Sequence, residues 1–154
     1  YRHILGGLEK HSKTGAMFSD PENHDLMCHL RAEKVAKIPV PDVEVQGCAD
    51  DADLLIVGFG GTYGHLYSAM EEMNKAGKKV ALAHFTYLNP LPKNTETVLK
   101  KYKKVVVAEQ NLGQFAGYLR MKIDNFTPYQ FNEVKGQTFV VAELVAAFNK
   151  LIDN

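Results

Sequence analysis

Cysteine is scarce in this chain, with Cys28 and Cys48 the only two in 154 residues. Two thiols fit a reduced cytosolic protein better than a disulfide framework, and neither stands in a motif that would activate a nucleophile. Net charge is also missing, because 18 Lys+Arg balance 18 Asp+Glu. Without a global field of either sign, nothing points to nucleic acid or an anionic membrane as a partner. No apolar run approaches the ~18 residues of a membrane-spanning helix, and no signal peptide is visible. Internal repeats and low-complexity tracts are lacking as well. What remains is one domain of ordinary size or slightly more, long enough to bury roughly 68–70% of its unfolded surface without a staple. The first residue is Tyr1 rather than Met, which reads as a piece cut from a longer protein.

The chain is organised around Asp53 to Met70. Leu54 to Gly58 is an apolar run too short for a helix and too apolar for a half-exposed strand, the pattern of a strand buried on both faces. Gly58, Gly60 and Gly61 permit a sharp turn. Thr62 is placed to cap a helix from about Tyr63, whose face is Leu66, Met70 and Met73. Gly77 then serves as the C′ glycine. Strand, glycine turn and helix make the first half of a βαβ unit.

Around that unit, residues 1–19 read as a linker. Residues 20–42 read as a connecting helix and linker, and 43–154 as an α/β domain. Asp20-Pro21 starts the first helix, with a partly apolar face at Leu26, Met27, Leu30 and Val35, and Pro39 and Pro41 stop it. Val43 to Gln46 is a short edge strand. Buried strands follow at Lys79 to His84 and Lys104 to Ala108. Asn94 is placed to cap a helix reaching about Tyr102. Another helix opens at Asn111 to Gly113 with Leu112, Ala116, Leu119 and Ile123 on one face. Gln130 to Val134 is a strand, and the last helix runs from about Val140 to Ile152. Alternating strands and helices call for a largely parallel sheet covered on both faces. The turns after its strands then converge on one edge, where ligands of open α/β sheets bind.

Candidate chemistry concentrates on that edge. The turn GFGGTYG invites a dinucleotide reading, but Tyr63 stands where the third glycine should be. The next strand also closes on Ala83-His84-Phe85-Thr86 with no ribose-binding acid. An anion, such as a coenzyme A phosphate, could still meet the backbone amides of Gly58, Gly60, Gly61 and Thr62 at the helix start. The competing reading is a tight turn with close packing. His84 and Glu109 close neighbouring segments and could form an acid–base pair or, the favoured reading, a hydrogen-bonded pair at a domain interface. His24 and Cys28 are i, i+4 on the first helix, but further metal ligands at standard spacing are missing, so no metal is expected. Lys100, Lys101, Lys103 and Lys104 read as a solvated helix end. Asn111, Gln114 and Gln137 lie on turns expected to be neighbours. They suit a buried polar interface, since amides carry no titrating charge to desolvate.

The ordered set DPENH (20–24), RAEKVAKI (31–38), DADLLIVGFGGTYG (51–64), YLNPLPKN (87–94), EQNLGQ (109–114) and KGQTF (135–139) resembles the C-terminal part of the alpha subunit of 2-oxoacid:ferredoxin oxidoreductases, most closely the 2-oxoglutarate type. The resemblance runs from about Leu8 to Ile152. It implies a transketolase C-terminal-like domain: a three-layer α/β/α sandwich with a mixed, mostly parallel five-stranded sheet whose first strand is antiparallel. It also implies a cytoplasmic enzyme that converts a 2-oxoacid to acyl-CoA and passes electrons to ferredoxin, using thiamine diphosphate, Mg²⁺ and iron–sulfur clusters. No G-D-G-type diphosphate–metal motif and no cysteine cluster is present, so those cofactors and the catalytic residues are expected elsewhere in the enzyme. The domain's expected work is packing and assembly against other domains and subunits. The alternative is a free-standing nucleotide- or CoA-binding module that uses the Gly58–Thr62 turn.

Overall fold

The computed structural model describes residues 7–153, which fall into two compact units divided between Pro39 and Val40. In the first unit a single antiparallel bridge pairs Lys10 with Met17. Helix α1, Pro21–Ala36, begins as its sequence dictates. Asp20 is extended at φ −141, and its carboxylate accepts the Asn23 amide at 2.8 Å, while Pro21 occupies a position that has no N–H to lose. The Asn23 side chain is buried. It accepts from the Ser12 amide and donates to the Lys10 carbonyl, stitching the preceding segment to the helix.

The second unit is an α/β sandwich. Its elements are β1 (Val45–Gly47), β2 (Leu54–Phe59), α2 (Tyr63–Lys75), β3 (Val80–Phe85), α3 (Thr95–Lys101), β4 (Val105–Glu109), α4 (Gln114–Lys122), β5 (Tyr129–Asn132) and α5 (Val141–Asp153). The sheet order is β1-β3-β2-β4-β5, with β1 antiparallel to β3 and every other pairing parallel. β1 begins two residues later than its sequence pattern predicts and ends one later, at Gly47.

The period-2 alternation of strand side chains divides the core into two layers. Leu55, Val57, Ala81, Ala83, Val105 and Val107 face one way, onto Leu99 of α3 and Phe115, Ala116 and Leu119 of α4. Leu54, Ile56, Val80, Leu82, Val106 and Ala108 face the other, onto Leu66, Met70 and Met73 of α2 and Leu144 and Phe148 of α5. Each Val, Leu, Ile, Phe or Met among them contributes roughly 1.5–3 kcal/mol when fully buried. The α2 C-terminus is a Schellman motif: the Gly77 amide, at φ +85, donates to Asn74 and the Lys78 amide to Met73.

The structure departs from the sequence pattern at four positions, two caps and two helix starts. Thr62 does not cap α2. Its backbone is already helical, and its hydroxyl donates to the Phe59 carbonyl at 2.8 Å across the 3₁₀ turn Gly60–Thr62. Asn94 does not cap α3, because its amide holds both the N–H and the carbonyl of Val43, each at 2.9 Å. Leu112 is not on the buried face of α4: it precedes the helix and is 84% exposed. Val140 likewise precedes α5 and stands exposed.

Candidate functional site

Parallel strands β2, β3, β4 and β5 all end on one edge of the sheet, and antiparallel β1 enters from that same edge. The turns there hold most of the polar groups singled out by the sequence.

The glycine turn after β2 has two characters. A Cβ on Gly58 would stand 2.2 Å from Leu66 Cδ1 and 3.0 Å from Thr62 Oγ1, so this position admits only glycine without a shift. Leu66 is itself wholly buried. Gly60, at φ +61, and Gly61 face open space instead, with nothing within 4 Å of where a Cβ would stand. The first glycine therefore serves packing, and the other two leave backbone accessible at the start of α2.

His84 and Glu109 do not form a pair. β2 lies between their strands, and the alternation sends their side chains to opposite faces: His84 follows Val80 and Leu82 toward α2, whereas Glu109 follows Val105 and Val107 toward α4. Glu109 is wholly buried, and its carboxylate accepts the amides of Phe115 at 2.7 Å and Ala116 at 2.9 Å. A buried carboxylate thus answers two of the orphan donors at the start of α4, where the helix dipole also favours negative charge. His84 is half-buried. Its ring stands edge-on to Tyr63 with centroids 5.1 Å apart, and burial lowers its pKa against the opposing influence of nearby Gly60 and Phe59 backbone groups.

The β4 and β5 turns are joined. Gln110 Nε2 donates to the Gln137 carbonyl, and Asn111 Oδ1 accepts the amides of Gly113 and Gln114 at 2.8 and 2.9 Å. Gly113, at φ +91, lies against Gln130 and Asn132, whose amides bond each other at 3.1 Å. The side chains of Gln114 and Gln137 are exposed, and that of Asn111 is partly so. The edge is therefore a patch of amides with Leu112 projecting from it.

Sequence reasoning missed a cleft of about 400 Å³ between the entry of β1 and the exit of β3, lined by Asp42, Glu44, Gln46, Tyr63, His84 and Tyr87 among others. The signal was available in principle. An antiparallel β1 carries residues 41–44 past the end of β3, and alternation puts His84 on the Tyr63 side. In the first unit, His24 and Cys28 are 3.6 Å apart but are occupied by Glu9 and Arg31. Among the described residues no group of three His, Cys, Asp or Glu is placed to hold a metal ion.

Residues 52–144 match the family described as pyruvate:ferredoxin oxidoreductase core domain II. The chain belongs to that family. The chain is 44% identical over 144 residues, 92% of its length, to the 2-oxoglutarate oxidoreductase subunit KorA of Mycobacterium tuberculosis, of which it covers 22%. It also superposes on the 2-oxoglutarate:ferredoxin oxidoreductase of Magnetococcus marinus, solved with 2-oxoglutarate, coenzyme A and succinyl-CoA bound. The TM-score is 0.81 at 30% identity, over 98% of this chain and 27% of that one. A split-gene transketolase, solved as an inactive β4 tetramer, shares the fold at a TM-score of 0.54 and 16% identity, over 76% of this chain and 44% of that one. The architecture of the core domain is thus transketolase C-terminal-like. The chain spans about a quarter of the length of its oxidoreductase relatives, 22% and 27% in these two cases.

Proposed function

We propose that this chain is the C-terminal domain of the alpha subunit of a 2-oxoacid:ferredoxin oxidoreductase, with 2-oxoglutarate as the substrate of the complete enzyme. The observation that carries this reading is the 44% identity to a 2-oxoglutarate oxidoreductase subunit over nearly the whole chain. The complete enzyme would decarboxylate the 2-oxoacid oxidatively, deliver the acyl group to coenzyme A and reduce ferredoxin in the cytoplasm. Of the cofactors such an enzyme would use, thiamine diphosphate, Mg²⁺ and iron–sulfur clusters, the metal and the clusters do not fit the residues described. Two cysteines cannot supply a cluster's four thiolates, and the described carboxylates form no metal-binding group. No helix among the described residues is long and apolar enough to cross a membrane.

The domain's own contribution is assembly. Asn111, Gln114 and Gln137 would meet a neighbouring domain or subunit across the strand-end edge, where uncharged amides can be buried at little cost if they find partners. In the complete enzyme, Gln114→Lys or Gln137→Lys would bury an unpaired charge, costing on the order of several kcal/mol. In the isolated chain, where both side chains are exposed, the same changes should be neutral. The test compares thermal stability of the chain with assembly and 2-oxoglutarate-dependent ferredoxin reduction by the complex. Normal assembly and turnover with lysine at both positions would remove the interface reading. A second reading, anion binding by Gly58, Gly60, Gly61 and Thr62, is favoured by the open space around Gly60 and Gly61. It requires that millimolar coenzyme A shift the amides of Gly60 to Tyr63 in an NMR titration, and unchanged amides would leave the turn to packing.

A further inference from the structure

The cleft between β1 and β3 has a chemistry that the assembly reading does not use. Its walls hold two carboxylates, Asp42 and Glu44, and no lysine or arginine. Neither carboxylate is in an ion pair among the described residues, although Asp50, Asp51, Glu96 and Glu133 all are. In a chain with no net charge, this gathers two carboxylates without an ion-pair partner at one cleft.

Aromatic surface adjoins it. Tyr63 is 41% exposed and Tyr87 44%. The Tyr63 ring is fixed in place: it stands edge-on to His84, lies 5.7 Å from Tyr67, and its hydroxyl donates to Gln46 Oε1 at 3.2 Å. His84 lines the same wall, half-buried beside Tyr63.

These features select among ligands. An anion would face two carboxylates with nothing to neutralise it. An apolar group would leave the carboxylates desolvated and unpaired. A cation meets carboxylates and tyrosine rings together. Among cations, the guanidinium suits best, because it is planar, stacks on rings, carries five donors and is weakly hydrated, whereas ammonium is a compact, strongly hydrated point charge. We infer that this cleft receives an arginine side chain presented by a partner polypeptide. It occupies the β1–β3 end of the strand-end edge, separated by β2 from the turns of β4 and β5 that carry Asn111 and Gln137, and its lining shares no residue with them, so the inference stands whether or not those amides meet a partner.

An NMR titration of the whole chain with acetyl-arginine amide, followed at Gln46, Tyr63 and His84, tests it. Acetyl-citrulline amide, the uncharged near-isostere, serves as the control. Saturable shifts with half-effect in the millimolar range are expected for arginine, weakened at least about tenfold for citrulline. They should weaken similarly in the Asp42→Asn, Glu44→Gln double variant, which removes two exposed charges. A five-residue peptide with arginine at its centre should bind several-fold more tightly, since its backbone reaches the surrounding walls. No saturable shift up to ~100 mM, equal shifts with citrulline, or an unaffected double variant would overturn the site. Equal affinity for peptide and acetyl-arginine amide would overturn the polypeptide as its occupant.

Discussion

Helix α1 carries Leu26, Leu30 and Val35 at 46, 43 and 36% exposure, while α5 holds Leu144 and Phe148 at 0%. Both helices place apolar residues at helical spacing, yet only α5 packs them, against α2 and one face of the sheet. α1 is fixed by polar means: the Asp20 cap, the buried Asn23 amide, and the pairing of Arg31 and His24 with Glu9. An apolar stripe in sequence thus says that burial is available, and what packs on it decides whether burial occurs. The two units should consequently differ in how much a single side chain is worth.

The largest contrast is expected from truncating one residue in each helix. Phe148→Ala removes a wholly buried ring from the α2–α5 layer and should cost about 3–5 kcal/mol, with cavity and transfer contributions together. Leu30→Ala, at an exposed position on α1, should stay within about 0.5 kcal/mol. Denaturant unfolding of both variants measures this. A comparable loss for Leu30→Ala would show that α1 is packed in solution and would end the contrast.

A finer version of the same comparison lies within one turn. Gly58→Ala drives a Cβ into the buried Leu66 and Thr62 side chains, an overpacking expected to cost about 1–3 kcal/mol. Gly61→Ala, with nothing within 4 Å of the new Cβ, should change stability by less than about 0.5 kcal/mol. Equal thermal midpoints for the two variants would mean that Leu66 can yield, contrary to its burial.

The same residues show what could be read from the sequence. β2, β3, β4, α2, α4 and α5 were legible because apolar runs and 3.6-residue spacing report burial directly, and the antiparallel first strand came with the resemblance to a family. Caps were less legible. Thr62 and Asn94 have the right side chains at the right places, but each found a tertiary or turn carbonyl or amide closer than the helix amides. The supposed His84–Glu109 pair failed for a reason that alternation already contained, once the strand order put β2 between them. The cleft was hidden because its walls come from segments 41–46, 63 and 84–92, which only the register of β1 on β3 brings together. The Glu109 clasp on α4 was equally hidden, since a glutamate ending an apolar strand looks solvent-bound until a helix start lies beside it.

The smallest effect is expected in the first unit, and it depends on pH. The Glu9 carboxylate accepts from Arg31 Nη1 at 3.0 Å and meets His24 Nδ1 at 2.6 Å. The Arg31 hydrogen bond first, and then that of His24, lowers its pKa from 4.5 to about 2. Because the folded value lies below the unfolded one, the contact stabilises the first unit fully above the unfolded pKa. It is lost as pH falls through about 2, where the folded carboxyl takes up its proton. The groups are close to solvent, so the contribution is small and sensitive to salt. What it holds is specific: Glu9 sits in the segment that Asn23 also ties to α1. A carbon-detected NMR titration should give Glu9 a midpoint near 2. In Arg31→Gln, or in roughly 1 M salt, that midpoint should move up toward the ordinary carboxylate range. The Ser12 amide should shift with it, while amides of β2 and β4, in the other unit, should not follow the same midpoint. An ordinary Glu9 titration in the unaltered chain would show that the polar clasp is open in solution, leaving Asn23 and the Asp20 cap as the contacts that hold residues 9–20 to α1.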